Sequence, residues 1–186
     1  MQDDAAFDSL IAEGLAASRE GRPEAALALF ARAGERDPAS GLPHFLAASE
    51  HAAAGEVEAA EASFANALLA APAFSLARYQ LGLLQFTSGR PAVALLTWEP
   101  LLESTGPAAL AHFVRGFASL AQDQLAQALV HFRAGLTCPD APPAVSADIA
   151  KVIDAVEALS GAGSAGGDAG GEASHVLLEG YSRAWH

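Results

Sequence analysis

The chain has 186 residues, a mass of 18.9 kDa and a formal net charge of −12. That length suits one domain with a sizeable core. Only 10 Lys and Arg oppose 22 Asp and Glu, which argues against the clustered basic surface that binds nucleic acid.

The single cysteine, Cys138, excludes an intramolecular disulfide and favours a reducing compartment. No apolar run approaches the roughly 18 residues of a membrane span, and the acidic start at residues 1–4 is unlike a secretory signal. We therefore expect a cytoplasmic protein that does not enter membranes. The excess of Arg over Lys and the frequent Ala and Gly are typical of a GC-rich bacterial genome.

Acidic residues are concentrated toward the N-terminus. Residues 1–72 carry twelve acidic and four basic side chains, whereas residues 73–144 carry four of each. A basic or largely neutral partner is therefore expected for the first half of the chain.

Several residue types recur at intervals of 34 along the chain. These series define units of about 7–40, 41–74, 75–108 and 109–142, each long enough for two helices. The series are Ala26, Ala60, Ala94 and Ala128; Phe30, Phe64, Trp98 and Phe132; Gly21, Gly55 and Gly89; and Pro38 and Pro72.

This pattern resembles the tetratricopeptide repeat (TPR) family, whose period is also 34 residues. The resemblance implies an all-α, right-handed superhelix of helix-turn-helix repeats, with a TPR-like domain over residues 1–159. The small eighth residue of each repeat and the alanine of the twentieth would let its two helices approach closely. The aromatic of the twenty-fourth would fill the space between neighbouring repeats.

Two repeats depart from the pattern. Pro100 falls inside the expected second helix of the third repeat, so a bend is predicted near Glu99. Asp123 stands in the fourth repeat where the first three have a glycine after the first helix, and Asp tolerates the left-handed region better than most residues.

After the repeats, the pattern predicts one amphipathic capping helix over about 144–159, with apolar residues from Val145 to Leu159 at helical spacing. Residues 160–174, rich in Gly, Ala and Ser, are predicted to be a flexible linker. Residues 175–186 form a short apolar and aromatic tail that we interpret as a ligand tethered to its own scaffold. Its apolar side chains are Leu177, Leu178, Tyr181 and Trp185.

The family resemblance also implies a binding groove. In tetratricopeptide proteins the concave groove is lined by particular positions of each first helix, commonly the second, fifth, ninth and twelfth. Carried over by position, the expected peptide-binding residues are Ile11, Leu15, Leu42, Phe45, Ser49, Leu76, Tyr79, Leu83, Phe86, Leu110, Phe113 and Phe117. The groove is therefore expected to be apolar and aromatic, and none of these positions holds the Lys or Asn of a carboxylate clamp.

No motif of catalysis or cofactor binding stands out. Residues 161–166 match G-x-G-x-x-G, but no strand precedes them and no helix clearly follows. His44 and His51 are two helical turns apart, too far to share a metal ion. We therefore expect no enzyme activity, no cofactor and no metal.

The leading functional hypothesis is a scaffold or adaptor that binds a peptide segment of a protein partner in the groove. One alternative is a chaperone of a secreted or aggregation-prone client, similar in plan to the class II chaperones of type III secretion. A further alternative is a regulatory subunit of an enzyme complex. The tail could dock in the groove of its own chain or of a second copy, and the second case would give a homo-oligomer.

Overall fold

The regular secondary structure is helical throughout the described part of the chain, as the repeat pattern predicts. The structure is a computed structural model that describes residues 2–103 and 106–163, with side chains described for 5–103 and 106–160. The helices are α1 (Gln2–Arg19), α2 (Pro23–Arg36), α3 (Leu42–Ala53), α4 (Val57–Ala70), α5 (Ser75–Thr87), α6 (Pro91–Trp98), a 3-10 helix (Glu99–Leu102), α7 (Ala108–Leu120), α8 (Leu125–Leu136) and α9 (Pro143–Gly163).

These helices form two compact units, one ending at Leu81 and the other starting at Gly82. In unit 1, α1 packs against α2, α3 packs against α4, and α2 contacts α3. In unit 2, α7 packs against α8 and α9 lies against α8. Each pair is a helix-turn-helix of the kind that the 34-residue period predicts.

In each repeat, the turn between the two helices has a residue in the left-handed backbone conformation at the same position. Gly21, Gly55 and Gly89 have φ of 70°, 74° and 76°, and Asp123 takes the same role with φ of 56°. The amide of Gly21 donates to the Ser18 carbonyl and the next amide donates to the Ala17 carbonyl, both at 2.9 Å. This pair of hydrogen bonds is the Schellman motif, which gives partners to carbonyls that have none within the last turn of the helix. The predicted capping role of these four residues is confirmed.

A glycine facing an aromatic ring holds the two helices of a repeat together. A Cβ added to Gly14 would lie 2.4 Å from a ring carbon of Phe30, and one added to Gly116 would lie 2.4 Å from Phe132. At Gly82 it would lie 2.2 Å from the indole nitrogen of Trp98. The ring therefore occupies the space that a side chain would take, and the helices approach closely.

These contacts add a second role to the expectation that the aromatic of the twenty-fourth position fills the space between repeats. In the first, third and fourth repeats, the ring packs first against the eighth-position glycine of its own repeat. Trp98 additionally stacks on Phe117 of the following repeat, with ring centroids 5.6 Å apart. The reason is steric, since in these three repeats a Cβ on the eighth residue would overlap the ring.

The interruption predicted at Pro100 is present, but it ends the α-helix instead of bending it. α6 stops at Trp98, and Glu99–Leu102 continue as a 3-10 helix with the proline in its first turn. Proline lacks the amide needed to continue the α-helical hydrogen bonds, and it is tolerated at the start of a new helical segment.

α9 has the amphipathic character predicted for the capping helix. Val145, Ile149 and Val156 are buried, whereas Lys151 and Glu157 are exposed. The helix extends four residues into the segment assigned to the linker, because residues 160–163 remain helical and the Ser160 hydroxyl donates to the Val156 carbonyl. The rest of the predicted linker and the tail lie outside the described residues.

We predict that Gly116→Ala lowers the free energy of unfolding by roughly 1–3 kcal/mol, because the new methyl group would overlap the Phe132 ring. The matched control is Gly34→Ala in α2, where an added Cβ meets no atom closer than 3.8 Å. That variant should be neutral or gain up to about 1 kcal/mol from helix propensity. Urea denaturation followed by circular dichroism measures both, and equal effects of the two substitutions would contradict the contact.

Candidate binding surface

The first helices of unit 1 present a continuous set of partly exposed side chains. We call this set the first-helix face. The partly exposed members among the predicted groove residues are Ile11, Leu15, Leu42, Phe45, Ser49 and Leu76. Ile11 and Leu15 follow helical spacing on α1, Leu42, Phe45 and Ser49 follow it on α3, and Leu76 lies in the first turn of α5.

The first-helix face rests on a packed interior. Ile11 and Leu15 lie against the buried cluster of Ala17, Ala26 and Phe30. The face is therefore held by the core of the first repeat, and its side chains are oriented before any ligand arrives.

Phe45 is fixed by two other aromatic rings. Its ring centroid lies 5.8 Å from that of Phe64 and 5.1 Å from that of Phe74, both in tilted geometry. Such aromatic pairs favour one ring orientation beyond the effect of burial alone. Phe45 is therefore a rigid member of the first-helix face.

Acidic groups border this apolar face. The Ser18 hydroxyl on α1 donates to the Glu50 carboxylate on α3 at 2.5 Å, which ties the two first helices together. Asp8 is exposed on α1, and Glu13 accepts a hydrogen bond from Ser9 at 2.8 Å. The face thus combines an apolar centre with negative charge, which suits a ligand with apolar and basic residues.

The other predicted groove residues are buried. They are at most 4% exposed and are Tyr79, Leu83, Phe86, Leu110, Phe113 and Phe117. They belong to the core and do not line an open surface, contrary to the expectation from their repeat positions.

Ring packing explains the burial in unit 2. Phe117 contacts Phe86, Trp98 and Phe132 at centroid distances of 5.3, 5.6 and 5.1 Å. Phe113 fills the space beside Gly135, where an added Cβ would lie 2.4 Å from its ring. Large rings next to a glycine or to one another become core, whatever repeat position they occupy.

Exposed apolar residues occur on the second helices, which the sequence reasoning did not single out. The large ones are Leu69, Val93, Leu96 and Val130, and Leu102 is exposed in the 3-10 helix after α6. A signal was present in the sequence, because residues 28, 62, 96 and 130 form another 34-residue series. Its members change from Ala in the first two repeats to Leu and Val in the last two.

Two histidines face each other across α7 and α8. The ring centroids of His112 and His131 are 6.0 Å apart, and the Gln127 amide nitrogen lies 3.3 Å from Nε2 of His131. Within the described residues, the buried Nδ1 of His112 has no hydrogen-bond partner. Burial, followed by the nearby His112 and Arg115, lowers the pKa of His131 from its ordinary value of 6.5.

No cluster of three or more His, Cys, Asp or Glu side chains suited to a metal ion occurs in the part of the chain that the structure describes. Among the same residues, none of the helices combines the length and apolar character needed to cross a bilayer. The tail residues Leu177, Leu178, Tyr181 and Trp185 lie outside the described residues.

Solved structures with the same helical arrangement identify the fold. Pseudomonas aeruginosa PilF matches with a TM-score of 0.64 and 22% identity, over 100% of this chain and 90% of that one. MamA matches with a TM-score of 0.56 and 20% identity, over 70% of this chain and 76% of its own. Both are tetratricopeptide repeat proteins. The chain has the tetratricopeptide repeat fold.

A double mutant of MamA RS-1 gives the same result, with a TM-score of 0.59, 16% identity and 96% of each chain covered. The sequence matches no protein-family model. No curated protein is significantly similar to it. The TPR fold is therefore recognised through the three-dimensional arrangement and the 34-residue series.

The lowered pKa of His131 predicts an acid-sensitive stability. His131 is neutral in the folded protein at pH values where the unfolded chain already binds a proton, so the free energy of unfolding should fall as pH drops below about 6.5. The loss should level off once pH passes the lowered pKa. His131→Gln should remove this part of the pH dependence in urea denaturation curves.

At pH 7.5 both states of His131 are largely neutral, so this titration should contribute nothing to stability there. A loss of stability between pH 7.5 and 5.5 that is equal in the wild type and in His131→Gln would contradict the assignment.

Proposed function

We propose that this chain is a non-enzymatic interaction scaffold whose first-helix face in unit 1 binds a short segment of a protein partner. The main observation is that Ile11, Leu15, Leu42, Phe45, Ser49 and Leu76 stay partly exposed on a prearranged face. Six further predicted groove residues are buried, so the proposed surface is smaller than the full set of repeat positions implies.

The chemistry of the face suggests the kind of segment that it takes. Its apolar centre favours one or two aliphatic or aromatic anchors, which usually supply most of the binding energy of such interfaces. Asp8 and Glu50 at its border favour Lys or Arg beside those anchors. The acidic excess of residues 1–72 would also speed the encounter with a basic partner at low salt.

The same face would serve an adaptor in the cytoplasm, a chaperone of an aggregation-prone client or a regulatory subunit of an enzyme complex. The three roles differ in what happens to the partner. A chaperone suppresses aggregation of its client, a regulatory subunit changes the activity of a co-purifying enzyme, and an adaptor does neither. We favour the adaptor because a small, preformed face suits a short segment better than a whole unfolded client.

The proposal is tested with a library of twelve-residue peptides selected on the full chain. We expect the selected peptides to combine an aromatic or aliphatic anchor with flanking Lys or Arg. Leu42→Ser with Leu76→Ser should weaken the best peptide at least roughly tenfold in fluorescence anisotropy, about 1.4 kcal/mol, because its apolar anchor loses contact area.

Leu69→Ser is the matched control, since Leu69 lies in the same unit but on the second helix α4, where it is 79% exposed. It should leave the affinity unchanged. Circular dichroism of each variant checks that the helices persist. Equal affinities of the double variant and the wild type, with helices intact, would place peptide binding on another surface.

A further inference from the structure

The second helices of unit 2 carry large apolar side chains in solvent. Leu96 on α6 is 72% exposed and Val130 on α8 is 59% exposed. Val93, about one turn before Leu96 on α6, is 42% exposed. We call these three residues the second-helix patch.

The patch is not an unfilled part of the core. Leu96 lies two residues from the fully buried Ala94 and Trp98. At about 100° per residue, its side chain projects on the opposite side of the helix. Val130 has the same relation to Ala128 and Phe132. Both helices therefore have a complete buried face and, in addition, an apolar residue directed away from it.

Unit 1 provides an internal comparison. At the equivalent positions its second helices carry Ala28 and Ala62, which are exposed but small. The repeat architecture therefore does not need a large side chain there. The Leu and Val of unit 2 add apolar surface that the fold itself leaves uncovered.

We propose that the segment 175–186 of the same chain docks on the second-helix patch. The route of the chain supports this occupant. Arg133, one turn after Val130 on α8, contacts Glu157 of α9. From Glu157 the described part of the helix continues to Gly163, a distance of about 9 Å at 1.5 Å per residue. The last described residues of α9 therefore lie within reach of Val130 on α8.

The length of the connecting segment fits as well. Residues 164–174 separate the end of α9 from the tail, and a Gly-rich segment of that length has an r.m.s. span of roughly 5.5 Å × √11, or about 18 Å. The tail places Leu177, Tyr181 and Trp185 four residues apart, a spacing that gathers them on one side of a helical segment. A tethered ligand of this kind acts at a high effective concentration, which favours it over a free partner or a second copy.

We favour this patch over the predicted groove for the tail, because four of the groove residues are core. Tyr79, Leu83, Phe113 and Phe117 are at most 4% exposed. This docking is independent of the proposed function, which concerns other residues in unit 1.

Fluorine NMR of the full chain labelled with 5-fluorotryptophan tests the proposal, and the buried Trp98 gives a second signal that reports on the fold. The chain has two tryptophans, and Trp185→Phe assigns their signals. We expect the Trp185 signal to lie away from its position in denaturant. Leu96→Asp with Val130→Asp should move it to that position, because the tail would lose its apolar contact.

Leu69→Asp is the matched control, since it puts the same charge on an exposed apolar position of a second helix in unit 1. It should leave the Trp185 signal in place, and the Trp98 signal reports whether either variant keeps its fold. A Trp185 signal at the denatured position in the wild type would overturn the proposal. So would a shift of that signal on dilution that tracks dissociation of a dimer, because docking would then be between copies.

Discussion

Close packing of an aromatic ring against a glycine in the facing helix is the contact on which the rest of this fold depends. In three of the repeats the pair is Gly14 with Phe30, Gly82 with Trp98, and Gly116 with Phe132. Full burial of such a ring contributes about 1.5–3 kcal/mol, and the missing Cβ lets the helices approach closely. The contact also sets the rotation of each second helix. Once Trp98 points inward, Leu96 must point outward, so the exposed patch is a geometric consequence of the core.

The same principle explains why the fifth residue of the second repeat is partly exposed whereas the fifth residue of the fourth repeat is buried. Phe113 and Phe45 both occupy the fifth position of their repeats. Phe113 faces Gly135 and is fully buried, whereas the residue equivalent to Gly135 in the second repeat is the buried Ala67. Without the extra space, Phe45 stays partly exposed and contacts Phe64 and Phe74. One methyl group on the facing helix thus accompanies the difference between a partly exposed phenylalanine and a fully buried one.

Much of the fold could be predicted from the sequence, because the information lies in local spacing. The 34-residue series located the repeats, the turn glycines have the predicted positive φ, and Pro100 marks the end of α6. Burial at the candidate site was not predictable in the same way. It depends on pairs such as Phe113 with Gly135, which are 22 residues apart and meet only when two helices pack. An assignment from repeat position considers each residue without its neighbours in the fold. It therefore placed Phe113 and Phe117 in the groove, although other side chains surround them.

Charge and apolar exposure are distributed differently along the two halves of the chain. Residues 1–72 carry twelve acidic and four basic side chains, and their mutual repulsion disfavours contact between copies of this segment. Residues 73–144 have equal numbers of acidic and basic side chains, yet this segment holds Leu96 and Val130 in solvent. An apolar surface without net charge around it promotes self-association. A segment of the same chain that covers the patch would remove this liability at any protein concentration, because an intramolecular contact does not weaken on dilution.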